Sequence, residues 1–368
     1  MDKTLRGKGA VIGIGELRPM RRRPDRTGIG LAAEVAIEAI ADAGLLKEDV
    51  DGLITELALG EPAQLAEYLG IRPRWAHGVN MFGATGAIML PLAVMAVSTG
   101  MANNVVCVIN TPAGDVLPGM GAPNTYQANY EFPYGPGVAQ NSNYAMIAQR
   151  HMFEFGTTQE QLAKIAVDQR FNAQANPLAA FYGTPLTLDD VMNSRMVSDP
   201  LKLLECVMPT TGAAAMVVTS ADRAHSGPHP PVYLLGAGVS IEHGIPPAHA
   251  IKMVDTPVKH SARQAFQNAQ LSPRDMNMLS LYDCYTITVA VSLEDAGFCK
   301  KGEVGDFAAS TDFTYKGNLP LNTHGGQLSF GQSGLAGGFS HVIESVRQMM
   351  GRAGDRQVPK LDFCFVNG

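Results

Sequence analysis

Charge is scarce in this chain. Only 17% of its 368 residues are Asp, Glu, Lys or Arg, and their balance is a net −6. Binding nucleic acid through its phosphates needs a basic surplus, so that class is excluded. Cysteine is sparse as well. Cys107, Cys206, Cys284, Cys299 and Cys364 are odd in number, widely spaced and without a C-x-x-C pair. They read as reduced, mostly buried thiols of a cytoplasmic protein and not as a disulfide framework. No uncharged apolar run approaches the ~20 residues of a membrane span. The opening MDKTLRGKGAVIGIGE is not built like a secretory signal, so neither a membrane nor export is expected. Nine histidines are present but form no H-E-x-x-H. His225 and His229 stand four apart in HSGPH, where Gly and Pro prevent a helical face, and no metal site is expected.

What the chain does have is apolar material (46%) and 39 glycines. At ~100–200 residues per domain, this is enough for two domains or one large one. Short apolar runs alternate with longer helical patterns, which reads as α/β. GAVIGIG (9–15), DGLIT (51–55) and NVVCVIN (104–110) read as strands. Residues 29–44 read as an amphipathic helix, with Leu31, Val35, Ile37 and Ile40 near helical spacing and Gly44 as the stop. GAIMLPLAVMAVSTG (86–100) is apolar almost all round, which places it centrally.

An internal repeat is the most informative feature. AIADAGLLKEDVDGLI (39–54) matches AFQNAQLSPRDMNMLS (265–280) at Ala39/Ala265, Ala43/Ala269, Leu45/Leu271, Asp49/Asp275 and Leu53/Leu279. FGATG (82–86) is echoed by FGQSG (330–334), and each is followed by a long helix and a strand, VVCVIN (105–110) or DFCFVNG (362–368). Three elements recurring in order indicate duplication of one α/β unit. A Gly-rich turn opening a buried helix aims N–H groups and the positive helix end at one point, and two such turns face to face suit an oxyanion. The halves divide as 1–228 and 229–368, near the Pro-rich turn SGPHPPVYLLG (226–236). The first half carries an insertion at about 111–205.

Residues 111–143 within that insertion are rich in Gly, Pro, Asn and Tyr. They read as an extended loop, either covering a pocket or partner surface or simply solvated. Two helices follow, the second opened by Thr157/Thr158 with Glu160 and Gln161 as cap partners. Several familiar motifs are absent. The glycines at 9, 13 and 15 lead into GELRPMRRRPD and not into a helix, which argues against a dinucleotide site. There is no Walker A sequence, and FGQSG is not a G-x-S-x-G elbow. Arg21-Arg22-Arg23 reads as a solvated loop, with a phosphate or acidic partner as the alternative.

The stretch LYDCYTITVAVSLEDAGFCKKGEVGDF, then LPLNTHGGQLSFGQSGLAGGFSHVIESVRQMMGRAGDRQV, resembles the C-terminal half of sterol-carrier-protein-type thiolases. Those read H-D-C-F, L-E-x-x-G-x-C-x-x-G-E, N-x-x-G-G, G-H-P-x-G and R-Q-V. The N-terminal half and GTTQEQLAKIAVDQR, NPLAAFYGTPLTLDDV and SDPLKLLECV fit too, so the resemblance spans nearly the whole chain. It implies the duplicated five-layer α/β/α/β/α thiolase fold, a homodimer core and acyl-CoA substrates. No cofactor is implied beyond the coenzyme A of the substrate.

The departures point to the chemistry. Where the resemblance places the nucleophilic Cys of C-x-S-G, this chain has Gly83 in Gly83-Ala84-Thr85-Gly86. The His of G-H-P is Gln332 in Gly331-Gln332-Ser333, and the His of H-D-C-F is Tyr282 in Tyr282-Asp283-Cys284-Tyr285. The last family motif would fall at Val366-Asn367-Gly368, where this sequence stops. Glycine has no side chain to acylate, which disfavours thiolysis through an acyl-cysteine. Cys284 is the nearest substitute by motif, but the family carries a Cys there without using it as nucleophile.

Cys-less relatives act as aldolases on β-hydroxyacyl-CoA esters, trim steroid side chains and pair with an OB-fold, zinc-ribbon protein. The chain is similar to them at Tyr282-Asp283 and at Asn322-Thr323-His324-Gly325-Gly326-Gln327-Leu328, and differs at Gln332. The resemblance thus implies retro-aldol cleavage, with Tyr282 as base or acid and His324 and Gln332 beside it. Gly83, Ala84, Thr85, Asp283, Asn322 and Gly331 are the expected oxyanion and substrate contacts. For Tyr282 a packed core role stays open, and for His324 a structural hydrogen bond. The alternatives are a thiolase or acetyl-CoA acyltransferase subunit, and a non-catalytic acyl-CoA carrier or structural subunit of an acyltransferase complex.

Overall fold

The computed structural model describes residues 4–56, 62–111, 140–242 and 252–368. Strand β1 (Gly9–Glu16) is buried at every residue. It can be so because the sheet around it is covered on both faces. With β2 (Gly52–Thr55), β3 (Trp75–Gly78), β4 (Asn104–Asn110), β7 (Ala213–Ser220) and β8 (Val232–Tyr233) it forms a six-stranded sheet in the order β3-β2-β4-β7-β1-β8. β2 runs parallel to β3 and β4, whereas β7 is antiparallel to β4 and β1. Two short strands, β5 (Met196–Ser198) and β6 (Leu201–Lys202), pair separately.

Side chains alternate across the strands and separate two cores. On one face Ile12, Leu53, Val106, Val108, Ala215 and Val217 meet α1 (Gly28–Asp42) and α2 (Pro62–Leu69). Thr27 caps α1 by accepting from the Gly30 amide. Leu31, Val35, Ala36, Ala39 and Ile40 make its buried stripe. Ile37, expected within that stripe, is 60% exposed. At 100° per residue it stands about 200° from Val35, on the opposite side of the helix.

The other face packs on α3 (Thr85–Ser98) and α11 (Ala336–Met349). These helices cross closely because Gly86 lets the Phe339 backbone approach; a Cβ there would lie 2.6 Å from Phe339 Cα. Beyond them β9 (Met278–Ser280) and β10 (Cys364–Val366) pair in parallel. Their outer face, Leu279 and Phe365, packs on α7 (Val258–Ala269) and α8 (Thr286–Asp295) through Phe266 and Ile287. The layers therefore run helix, sheet, helix, sheet, helix, as the resemblance implies.

The duplication extends to backbone contacts. A Cβ on Gly13 would lie 2.5 Å from the Ala39 carbonyl oxygen and the Ala43 amide. On Gly236 it would lie 2.1 Å from the Ala265 oxygen and 2.8 Å from the Ala269 amide. These are the alanine pairs aligned in the sequence repeat. Gly15 against Val35 and Gly238 against Ser261 repeat the relation one step further. Strand and helix approach this closely only where glycine removes the side chain.

Charge inside the central layer is concentrated on Glu344. Arg356 grips it with two hydrogen bonds of 3.0 and 2.8 Å, Arg347 adds one at 3.1 Å, and Thr323 donates at 2.7 Å. These cations hold its carboxyl well below the usual range despite complete burial.

Of the expected 111–143 loop, residues 112–139 lie outside the described residues, and Gln140–Asn143 already belong to α4 (Gln140–Phe155). The following α5 (Gln159–Gln174) is capped reciprocally by Thr158 and Gln161. Thr157 instead bonds His151 Nδ1 at 3.0 Å. The chain continues through α6 (Leu188–Met192), α9 (Val304–Ser310) and the short α10 (Gly326–Ser329).

Candidate active site

The first turn of α3 is built by one left-handed residue. Phe82 has φ +50°, which folds residues 81–85 back so that the amides of Ala84 and Thr85 donate to the carbonyls of Met81 and Phe82. The Thr85 hydroxyl donates to Phe82 O at 2.7 Å and accepts from the Met81 amide at 2.8 Å. Ala84 and Thr85, expected as oxyanion contacts, thus spend these donors inside the turn.

Gly83 lies at the centre of a close approach. A Cβ there would fall 2.4 Å from Cε2 and Cζ of Tyr282 and 2.7 Å from its hydroxyl oxygen. On another side Gly338 of α11 meets the Gly83 carbonyl, and Gly368 lies against Ala84 Cα. Tyr282 follows β9 and is held by its amide, which donates to Asn367 Oδ1 at 2.8 Å. Its hydroxyl receives a long hydrogen bond from Gln332 Nε2, 3.4 Å. Burial, reinforced by Cys284 and Asp283, pushes the phenol well above its ordinary range, so Tyr282 is neutral and a donor.

Gln332 is fixed by its backbone. Its amide donates to Met208 O at 3.0 Å, and its carbonyl accepts from the Thr210 amide at 2.8 Å. Gly331 beside it takes φ +121° and packs on Pro19 and Thr210. Gln332 Oε1 is buried without a hydrogen-bond partner among the described residues. The sequence expectation thus brings Gly83, Tyr282, Gln332 and Gly331 together.

Three other expected residues form a frame behind them. Asn322 takes φ +52° and spends its carboxamide on the backbone of Leu281, at 2.7 and 2.9 Å. Asp283 is fully buried and accepts from the Gln327 and Leu328 amides, closing the start of α10. Its Oδ1 also lies 2.9 Å from His341 Nε2. His324 is one step further back, with its ring 5.0 Å from that of His341. Ser340 Oγ donates to Gly337 O, so the 3.2 Å contact makes His324 Nε2 the donor, leaving Nδ1 as an unpartnered acceptor among the described residues. Burial holds His324 well below its ordinary range and keeps it uncharged.

His341 is the frame residue that the sequence reading missed. It bridges Ser280 Oγ (3.1 Å from Nδ1) and Asp283, and its ring is 6.4 Å from that of Tyr282. The signal was present: Ser340, His341, Glu344, Ser345 and Gln348 put buried polar residues on a helix that is buried along most of its length. The thiol nearest by motif does not suit nucleophilic work. Burial pushes Cys284 up to about 12, and it contacts Thr288 Oγ1 at 3.4 Å.

No group of three His, Cys, Asp or Glu side chains suited to a metal occurs among the described residues. His225 and His229 go separately to Tyr233 and Asp42. No described helix is long and apolar enough to cross a membrane.

Comparison with known proteins agrees with this architecture. Residues 238–368 match the thiolase C-terminal domain-like family. A steroid side-chain-cleaving aldolase of Thermomonospora curvata is 35% identical over 95% of this chain and 92% of its own. An acetyl-CoA acetyltransferase of Methanothermobacter thermautotrophicus is 34% identical over 95% and 92%. The solved structure of an Ltp2-ChsH2(DUF35) aldolase superposes with a TM-score of 0.90 at 33% identity, covering 99% of this chain and 95% of that one. The chain belongs to the thiolase superfamily, in its sterol-carrier-protein thiolase-like branch.

Proposed function

We propose that this protein is a CoA-ester aldolase that cleaves the Cα–Cβ bond of a β-hydroxyacyl-CoA. The observation that carries this reading is the Tyr282 ring in the space a side chain at Gly83 would need. An acyl-enzyme would have to be held where a neutral phenol already stands. Retro-aldol cleavage needs no such tether. The hydroxyl proton leaves, the Cα–Cβ pair passes into the thioester as an enolate, and a donor returns a proton to Cα. Tyr282, kept protonated by its surroundings, is that donor. Gln332 orients its hydroxyl and offers the unpartnered Oε1 to the substrate. Asn322 holds the Leu281 backbone next to Tyr282, Asp283 and His324 pack behind it, and the 1–228 and 229–368 halves each supply one wall.

The chemistry calls for no cofactor beyond the coenzyme A of the substrate, because the thioester is itself the electron sink. A homodimer core, an OB-fold and zinc-ribbon partner and a cytoplasmic location complete the proposal. The likeness to an aldolase solved with a DUF35 partner supports the second, and five free cysteines support the third. A thiolase or acyltransferase subunit is the second reading, favoured by the likeness to an acetyl-CoA acetyltransferase.

Incubating the full chain, alone and with its DUF35-type partner, with a β-hydroxyacyl-CoA and separately with a β-ketoacyl-CoA plus CoA separates the two. Cleavage of the first alone supports the aldolase, thiolysis of the second overturns it, and binding without turnover leaves a carrier.

A further inference from the structure

Glu56 immediately follows β2 and is only 4% exposed. No described residue gives it a hydrogen bond or an ion pair. Its place follows from register. Leu53 faces the α1 core and Ile54 the α3 core, so alternation turns Glu56 toward α3. Ile54 pairs with Cys107, whose sulfur contacts the Met89 carbonyl. From Met89 back to Thr85 is about 6 Å along the helix. From Ile54 on to Glu56 is between about 6 and 7 Å along the strand. The helix runs against the strands, since Gly9 at the start of β1 meets Val94 late in α3. Glu56 therefore lies level with Thr85 at the start of α3, two residues after Gly83.

The neighbouring strand leads on toward the same site: the β2–β4 register sets Glu56 level with Ile109, two residues before Thr111. Thr111, on the same face one step past β4, has its Oγ1 2.7 Å from where a Cβ of Gly334 would be, two residues from Gln332. Ligand sites in such sheets form at the C-terminal ends of parallel strands, here β2 and β4.

We propose that the Glu56 carboxylate is the base that takes the β-hydroxyl proton. This rests on the aldolase reading and supplies the group that the reading lacks, since a phenol held neutral gives a proton and does not take one. The step balances. The O–H pair becomes the C=O bond of the released ketone or aldehyde, the Cα–Cβ pair becomes the enolate, and Tyr282 protonates Cα. Glu56 then loses its proton to solvent, and the Tyr282 phenolate regains one.

A buried carboxyl with no partner among the described residues is otherwise a cost to the fold. Burial alone raises Glu56 to about 7, where a base operates at neutral pH. The titratable groups on the packed elements are His77 of β3, which is exposed and hydrogen-bonded to Gly78 O, and Cys107 of β4, itself raised by burial. The first turn of α3 adds none.

Two probes test this on the full chain: 3-hydroxy-3-methylbutanoyl-CoA, followed by acetone release, and acetyl-CoA in D₂O, followed by methyl deuteration in the mass spectrum. The expected result is acetone release that rises with pH through about 7. Glu56→Gln should lower acetone release ~100-fold, while acetyl-CoA deuteration, which passes through Tyr282 at Cα, and acetyl-CoA affinity stay within about threefold. Wild-type acetone release in Glu56→Gln overturns the inference and leaves the aldolase standing. Deuteration lost in the variant with acetone release unchanged would place Glu56 at Cα and overturn the inference. If the wild-type chain catalyses neither process, both readings fall. Should Glu56→Gln not fold, Glu56→Asp must show the same loss of acetone release with a displaced pH midpoint; an unchanged rate and midpoint in it overturn the inference.

Discussion

Tyr282 occupies the side-chain space of Gly83. Its Cε2 and Cζ stand 2.4 Å from the point where a Cβ would be, closer than real Cβ atoms come to any neighbour. The two positions are therefore coupled: a side chain at one must displace the ring of the other. Gly83→Cys should not create a thiolase. We expect it to push Tyr282 off Gln332, cut aldol cleavage at least ~100-fold and cost about 1–3 kcal/mol of stability. Mass spectrometry after exposure to acetyl-CoA should find no acyl adduct; an adduct on the introduced thiol with restored thiolysis would contradict this account.

Removing only the hydroxyl isolates its chemistry from its packing. Tyr282→Phe should keep the ring over Gly83 and the melting temperature near wild type, yet lower kcat for cleavage by about 10²–10³-fold with little change in KM. A variant at full rate would return Tyr282 to a packing role.

Glu56, without a partner among the described residues, has a stability signature. Its carboxyl is raised from 4.5 to about 7 in the folded chain, so between those values the native state binds the proton more tightly than the unfolded one. Its favourable contribution is fully present below pH 4.5 and is lost as pH rises through 7. Glu56→Gln should accordingly be more stable than wild type by about 2–3 kcal/mol at pH 8 and nearly equal at pH 4.5. Denaturant midpoints at the two pH values measure the difference, and an equal offset at both would refute the assignment.

Glu344 is the opposite case, a buried carboxylate gripped by Arg356 and Arg347. Arg356→Met leaves that charge with one cation and should cost about 3–5 kcal/mol. Urea unfolding reads this directly, and a loss under about 1 kcal/mol would mean that Arg347 suffices.

The repeat makes a paired prediction. Gly13→Ala and Gly236→Ala each drive a methyl into a helix carbonyl, that of Ala39 or of Ala265. Both should destabilise by about 1–3 kcal/mol. A neutral effect at either would show that the two contacts are not equivalent.

The order of elements was legible in the sequence because each carries its own periodicity. β1 and β4 are apolar but for Glu16, Asn104 and Asn110 at their ends, α3 is apolar almost all round, and the Ala39/Ala265 and Ala43/Ala269 matches marked the duplication that the contacts of Gly13 and Gly236 repeat. Ile37 is the exception: two residues from Val35 along the helix, it turns to the opposite, exposed side, and only the packed face separates the two positions. Within the site, motif position singled out Gly83, Tyr282 and Gln332 but could not sort Asp283, Asn322 and His324 into frame and surface. That sorting depends on which partners α10 and α11 bring.

The sequence by itself determined that this chain folds as a duplicated α/β thiolase relative and that position 83 has no side chain to acylate, since both follow from local pattern and residue identity. Only the tertiary structure decided what fills that space and where the buried Glu56 carboxyl lies. Tyr282 and Gly83 are far apart along the chain, and Glu56 meets neither in sequence. Burial, which sets the protonation of Tyr282 and Glu56 in opposite service, exists only once the layers close.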